Sequence, residues 1–195
     1  MKQAWWLPLV LALGAAGPPA DPDWPCRQRL VPTLAASSIW TGPSAASGWR
    51  SDARVSALVS RAAPRSMAQE DGVNLLKAFA AMLSAGERQV FLPMVFAGLM
   101  DETNAQRSQV IERLRDVARR QRDLTATETR VTAELRALPD TAAAADRAEI
   151  TSRRTFLIRN YEEVGRTIRY ACEIPVQLEA RIGAYAQVLQ SALAN

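Results

Sequence analysis

The side chains in this sequence that are most suited to covalent chemistry are two cysteines, Cys26 and Cys172, the only pair among 195 residues. A redox-active thiol pair would need the Cys-x-x-Cys spacing, or a histidine to activate one thiolate, and the chain has neither. The pair therefore predicts a structural disulfide bond. Such a bond would tie the N-terminal part of the chain to the C-terminal part, and it would indicate an oxidising compartment.

Histidine and the common catalytic motifs are missing from the sequence. It contains no histidine, which removes the usual general base, the Ser-His arrangements and the commonest transition-metal ligand. It has no phosphate-binding glycine loop, no Gly-x-Ser-x-Gly motif and no calcium-loop spacing. The carboxylates of Asp101 and Glu102, like those of Glu162 and Glu163, are adjacent on predicted helices and point in different directions. We therefore predict no catalytic residues, no cofactor and no metal ligands, and we do not expect an enzyme.

The elements that would position the remaining polar residues are predicted from a seven-residue repeat. An outgoing arm at 87–138 carries one apolar ladder, interrupted only by a threonine, and a return arm at 142–192 carries a second. Pro139 lies between the arms, where it would end the first helix, and Asp140 or Thr141 is suited to cap the second. The ladder residues are Phe96, Thr103, Val110, Val117, Leu124, Val131 and Leu138, and then Ala143, Ile150, Leu157, Val164, Ala171, Leu178, Tyr185 and Ala192.

The two ladders match when the chain is folded back at Pro139. Their rungs then face each other in one register, from Leu138 with Ala143 at the tip to Thr103 with Leu178 near the base. A heptad repeat that is kept over this many turns on both arms predicts a left-handed antiparallel coiled coil. The same seams could pair between chains, so a homodimer is an alternative to a hairpin within one chain.

The base of the hairpin needs additional helices. The stretch 90–100 is apolar on every face, and a two-stranded coil cannot bury such a helix. Short helices predicted at 52–62 and 67–83, together with the end of the return arm, are the available covers. We therefore predict an all-α fold, in which a small four-helix bundle forms the base of the hairpin. Gly98 and Gly183 fall at the same level, off the seam, where they would allow neighbouring helices to approach closely.

Local signals mark the predicted helix boundaries. Ser51 or Asp52 is suited to cap the first short helix. Capping-box spacing, with a hydroxyl three residues before a Gln or Glu, occurs at Ser66 to Gln69 and at Ser84 to Glu87. Pro175 is predicted to kink the return arm, because proline cannot donate to the carbonyl of Ala171.

The N-terminal residues 1–20 have the organisation of a signal peptide. Lys2 precedes an apolar run at 4–16, which is followed by small residues, and cleavage after Ala16 or Ala20 would fit. The run is too short to span a bilayer. We therefore expect an exported protein, periplasmic or secreted, with no stable membrane insertion after cleavage.

Residues 21–50 are rich in proline, glycine, serine and tryptophan, and they are predicted to form an irregular segment that the disulfide straps to the bundle. The large rings of Trp24, Trp40 and Trp49 are expected to cover apolar helix surface. An alternative is that the three tryptophans line a ligand groove between the bundle and this segment. In that case the protein would be a helical ligand-binding module.

One part of this segment resembles other proteins. The stretch Asp23-Trp-Pro-Cys-Arg-Gln-Arg-Leu-Val-Pro, followed by Trp40-Thr-Gly-Pro, is similar to the start of exported proteobacterial proteins that carry no assigned activity. The resemblance covers roughly a tenth to a fifth of the chain, and it implies no catalytic residues.

Beyond about Val117 the outgoing arm is polar except for its seam, so this half is predicted to project from the bundle as a lever with nothing packed on it. The arginines predicted to contact a partner there are Arg119, Arg120, Arg122, Arg130, Arg153 and Arg154. The chain has 24 basic and 20 acidic residues. Most of this charge is predicted to pair across the seam, namely Arg119 and Arg120 with Glu162 and Glu163, Arg153 and Arg154 with Glu128, and Arg169 with Glu112.

These features favour a scaffold or interaction protein whose lever contacts an unidentified protein partner of the cell envelope. Cross-seam pairing of the charges and export both argue against nucleic acid as the partner, while contact with anionic lipid or glycan of the envelope is a further alternative.

Overall fold

The computed structural model describes residues 21–44 and 48–194, so the predicted signal peptide lies outside the described part of the chain. Within these residues every regular element is helical, and the predicted all-α fold is confirmed. Short 3-10 helices at Ala36–Ser38 and Trp49–Ser51 precede the four α-helices, which are α1 Ala53–Ala62, α2 Gln69–Ala81, α3 Ala85–Ala137 and α4 Ala144–Leu193. None of the helices in the described ranges combines the length and the apolar character that crossing a membrane requires.

Helices α3 and α4 form the predicted antiparallel hairpin. They contain 53 and 50 residues, which correspond to lengths of about 80 and about 75 Å. Near the tip, Arg154 Nε donates to Glu128 Oε1 at 2.8 Å, and near the bundle Arg107 Nη1 donates to the carbonyl oxygen of Pro175 at 2.7 Å. These contacts are 21 residues apart on each arm, so one register is kept over three heptads.

The bundle at the base buries the apolar stretch that a hairpin alone would expose. Helix α1 and the end of α4 pack on the first turns of α3, and α2 completes the predicted bundle by packing on α4 and α1. The largest fully buried side chains come from all four helices, and those in this core include Val55, Val59, Leu76, Leu92, Val95, Phe96, Ile182, Tyr185 and Leu189.

The helix boundaries follow the local signals in part. Asp52 caps α1, because its Oδ1 accepts from the amides of Arg54 and Val55, and the capping box of Ser84 and Glu87 opens α3. The capping box predicted at Ser66 is wrong, since α2 begins later, at Gln69, with Ala68 at its N-cap and no side-chain cap.

The tip of the hairpin also differs from the prediction. Neither Asp140 nor Thr141 caps α4, whose N-cap is Ala143. The turn is closed by backbone instead, as the amide of Ala142 donates to the carbonyl of Pro139 at 3.0 Å. Arg147 also donates to that carbonyl, from one turn into α4, at 3.3 Å.

The two glycines predicted to allow close helix packing behave differently. A Cβ added at Gly98 would lie 2.7 Å from Val59 Cγ2 and 2.8 Å from Trp49 Cδ2, so this glycine does permit close approach. A Cβ added at Gly183 would meet nothing within 4 Å, and the prediction is wrong there. Gly183 therefore lowers the helix stability of α4 without any compensating contact.

Replacing each glycine by alanine should change the stability with opposite signs. We expect Gly98→Ala to lower the free energy of unfolding by about 1–3 kcal/mol, because Val59 and Trp49 are core residues that must shift. We expect Gly183→Ala to raise it by about 0.5–1 kcal/mol, because alanine favours the helix and enters open space. Urea unfolding followed by circular dichroism measures both, and equal effects at the two positions would contradict the packing described here.

Candidate functional site

The predicted disulfide between Cys26 and Cys172 is present, with 5.6 Å between the two Cα atoms. It joins the middle of residues 21–34, which we call the strap, to α4 just before Pro175. Trp24 and Cys26 of the strap pack on a second apolar cluster, formed by Val110, Leu114, Ile168 and Cys172 of the hairpin. The strap therefore covers one side of the hairpin beyond the bundle.

A buried arginine, Arg107, joins the strap to both arms. Its side chain is 3% exposed, and its two terminal nitrogens donate to the carbonyls of Val31 and Pro175, each at 2.7 Å. Burial lowers the pKa of Arg107, and Glu179, whose carboxylate lies 4.0 Å away, opposes that shift. Arg107 therefore stabilises three chain segments through backbone carbonyls.

Pro175 interrupts the backbone hydrogen bonds of α4 close to Arg107 and to the disulfide. Helix α4 continues through this proline, although proline cannot donate to the carbonyl one turn earlier. Two side chains donate to other carbonyls of this turn: Arg107 bonds that of Pro175, and Gln28 of the strap bonds that of Cys172 at 2.5 Å. The strap thus supplies a polar contact beside the disulfide.

Sequence reasoning missed the role of Arg107. It lies four residues after Thr103, at the companion position of the apolar ladder, where Met100 and Leu114 are also buried. An arginine on the seam is the signal that could have drawn attention to it, because a buried charge requires partners.

The start of the strap is held by charge. Arg115 Nε lies 2.8 Å from Asp21 Oδ2, and Arg119 Nη1 lies 2.7 Å from Asp23 Oδ2, while Arg122 also bonds Asp23. Hydrogen bonds from Arg119 and Arg122 lower the pKa of Asp23. The backbone amide of Asp23, followed by Arg115, lowers the pKa of Asp21.

These contacts correct the predicted surface of the lever. Arg119 and Arg122 were expected to face a partner, but they bind the strap, since Asp23 lies within reach of both guanidinium groups. Of the remaining four, Arg154 pairs with Glu128 as predicted, whereas Arg153 pairs with Glu134. Arg130 donates to Thr127 on its own helix, and Arg120 makes no ion pair or hydrogen bond with a described residue.

Most of the other predicted cross-seam pairs are also replaced by pairs within one helix. Glu163 pairs with Arg166, and Glu112 pairs with Arg115, each one turn along the same helix. Arg169 therefore does not pair with Glu112. Charges three residues apart already face each other, so they satisfy one another without reaching across the seam.

The tryptophans do not line a common groove. Trp40 stacks on Phe96 with ring centroids 4.4 Å apart, and Trp49 is buried with its indole donating to Asp101 at 2.8 Å. The Trp24 indole donates to the carbonyl of Gln28 at 2.7 Å, and its ring packs on the second cluster. The rings cover apolar helix surface, as expected, and the groove alternative is wrong because Trp40 and Trp49 fill the bundle core.

Beyond Arg122 the described part of the chain consists of α3 and α4 alone, and we call residues 123–160 the outer hairpin. Its seam includes Val131, which is buried, and its surface carries Phe156, which is 64% exposed. Tyr170 lies 14 residues further along α4 and is 77% exposed. Since 14 residues make close to four turns, the two rings lie on the same outward face.

In the described residues no group of three or more His, Cys, Asp or Glu side chains is placed to hold a metal ion.

Reducing the disulfide should destabilise the protein strongly. The loop it closes spans 146 positions, for which the loop-entropy model allows up to about 5 kcal/mol and measured losses are typically about 2–5 kcal/mol. We expect the melting temperature to fall in reducing agent, and the double variant C26S/C172S to show the same fall without it. Cys26 should react with iodoacetamide only after reduction, and alkylation of the untreated protein would contradict this.

Acid should release the start of the strap before the bundle unfolds. Because the folded pKa values of Asp21 and Asp23 are lowered, their ion pairs stabilise the strap above the ordinary carboxyl pKa. This stability is lost as the pH falls below about 4, through the folded values. We expect the NMR signal of the Trp24 indole to change in this range, while that of Trp40, which donates to the carbonyl of Pro43, stays constant.

The variant Asp23→Asn is the matched control for that titration. It should weaken the strap at neutral pH and reduce the pH dependence of the Trp24 signal, because the pairs with Arg119 and Arg122 are then absent. If the Trp24 and Trp40 signals changed together in the unmodified protein, the transition would be global unfolding and the ion pairs would not be what holds the strap.

Comparison with known proteins found no protein similar to this chain. No protein-family model, no curated protein and no solved structure matches the chain. The roles of its residues are therefore assigned from their contacts alone.

Proposed function

We propose that this protein is an exported, non-enzymatic interaction protein that presents its outer hairpin to a protein partner. The observation that carries the proposal is the exposure of Phe156 on the outer hairpin, which no other described element covers, together with that of Tyr170 on the same face of α4 nearer the bundle. Aromatic residues are enriched at protein interfaces, where their large surface contributes most of the binding energy.

The charges around these rings support a partner of protein type. Between Phe156 and Tyr170 the outward face carries Arg159, Glu163 and Arg166, and the last two pair with each other. The face therefore carries both signs of charge, with an excess of one positive charge among these three residues. Nucleic acid would require a concentrated basic surface, because phosphate neutralisation dominates its affinity.

The firmly held base supports the use of the hairpin as a lever. The strap, the disulfide and Arg107 fix both arms to each other up to about Arg122. The outer hairpin then extends about 23 Å from this point to the end of α3, at the rise of an α-helix. A partner that binds there is held at a fixed distance from the bundle.

Export is supported by three features of different kinds. The sequence at 1–20 has signal-peptide organisation, the segment around Cys26 resembles the start of exported proteobacterial proteins, and the disulfide fits an oxidising compartment such as the periplasm.

Site-specific crosslinking in cells tests this function. With p-benzoylphenylalanine at position 156, we expect ultraviolet light to produce a crosslinked adduct with one protein. The matched control is position 82, because Met82 is an equally exposed apolar residue (75%) but lies on the bundle. The adduct should disappear when Tyr170→Ser is added, since Tyr170 lies on the same face.

A deletion variant provides the second test. Residues 121–160 are removed and the two arms are rejoined by a short turn. We expect this deletion to abolish co-purification of the crosslinked protein, while the disulfide and the bundle remain. Equal crosslinking at positions 82 and 156, or unchanged co-purification after the deletion, would contradict the lever hypothesis. An adduct of twice the chain mass would instead identify a homodimer as the partner.

A further inference from the structure

Two adjoining grooves lie on the hairpin beside the loop between α1 and α2. The first has a volume of about 230 Å³, and its apolar lining includes Val110, Leu114, Val117, Ile168, Ala171 and Ile174. The second, of about 260 Å³, runs on towards the bundle past Met67 and Leu178. Arg65 and Ile174 line both, so the grooves form one continuous depression.

This depression lies on the side of the hairpin that the strap leaves open. The strap contacts α3 through Arg115, Arg119 and Arg122, whereas Arg113 and Val117 line the groove. At about 100° of rotation per residue, these two sets point to different sides of the helix. The second apolar cluster is therefore covered on one side by Trp24 and Cys26 and is accessible on the other.

The rim of the depression is positively charged. Arg65 and Arg113 are exposed, and neither makes an ion pair or a hydrogen bond with any residue in the described ranges. Arg181 adds a third positive charge, because its guanidinium donates to the carbonyls of Ala63 and Pro64, each at 2.8 Å, and not to a carboxylate. No acidic side chain of the described chain lines either groove.

An apolar floor with an unneutralised cationic rim matches one ligand chemistry. We propose that this depression binds a single-chain amphiphile with a carboxylate headgroup, a fatty acid. The acyl chain lies over Val110, Val117 and Ile174, and the carboxylate lies between Arg65 and Arg113.

The dimensions favour such a ligand over a peptide helix. The two grooves together reach the lower part of the range of about 300–1,000 Å³ that is typical of small-molecule sites. A helix of about 10–12 Å diameter would not fit inside them. The site is separate from the outer hairpin, so its occupancy does not depend on the function proposed above.

Binding of the fluorescent fatty acid 11-dansyl-undecanoate to the purified full chain, below the concentration at which the probe forms micelles, tests the proposal. We expect saturable binding of one probe per chain, weakened by added salt. The double variant R65Q/R113Q should weaken it by about tenfold or more, because both charges that face the carboxylate are removed. The matched control R61Q/R120Q removes two other exposed arginines that line neither groove, and its affinity should be unchanged.

A steric variant tests the apolar part of the site. Ala171→Phe fills the first groove, and we expect it to abolish binding. The melting temperature of this variant is compared with that of the unmodified chain to check that it folds. If it does not fold, the test rests on R65Q/R113Q and on the neutral analogue of the probe. The proposal is overturned if no saturable binding occurs, if R65Q/R113Q binds as tightly as R61Q/R120Q, or if the neutral analogue dansyl-undecanol binds as well as the acid.

Discussion

Two packed α-helices bury only one stripe of each helix, and this limit determines how the rest of the chain is used. Where α3 is apolar on every face, from Phe91 to Met100, α1, the end of α4 and the tryptophan segment cover it. Where the hairpin is apolar on two sides, around Leu114 and Ile168, the strap covers one side and leaves a groove on the other. Beyond Arg122 the helices are apolar along the seam and at exposed aromatic residues such as Phe156, and no other described element packs on them.

The added layers are held to the hairpin by buried guanidinium groups that bind backbone carbonyls. Arg181, 8% exposed, donates to the carbonyls at the end of α1, where the partial negative charge of the helix terminus favours a cation. Tyr185 and Gln106 donate to neighbouring carbonyls of the same turn. Burial lowers the pKa of Arg181 and raises that of Tyr185, and each group opposes the shift of the other. Arg107 performs the corresponding role for the strap and α4.

Regular repeats explain why the hairpin and its register could be predicted. The ladders from Phe96 to Leu138 and from Ala143 to Ala192 depend only on periodicity. The disulfide could be predicted because Cys26 had a single possible partner.

The ion pairs could not be predicted in the same way. A guanidinium on a long flexible side chain can reach partners on its own helix, across the seam or on the strap. The order of residues along the helix does not determine which of these partners it binds. The pairs of Arg119 and Arg122 with Asp23 join residues almost 100 positions apart. The groove could not be predicted either, because it depends on which side of the hairpin the strap covers.

The two surfaces left open should select ligands by different forces. On the outward face of α4 the charge is largely neutralised within the helix, as in the pair of Glu163 and Arg166, so contact there depends on the apolar area of Phe156 and Tyr170. Such contact is only weakly affected by salt. At the groove, Arg65 and Arg113 make no ion pair with a described residue, so binding of an anion gains Coulomb energy that salt screens over about 10 Å at 0.1 M. The same arginine-rich composition therefore produces a near-neutral surface in one place and a cationic one in another. The difference arises from which arginine a carboxylate binds, because Asp116, one helical turn from Arg113, pairs with Arg119 instead.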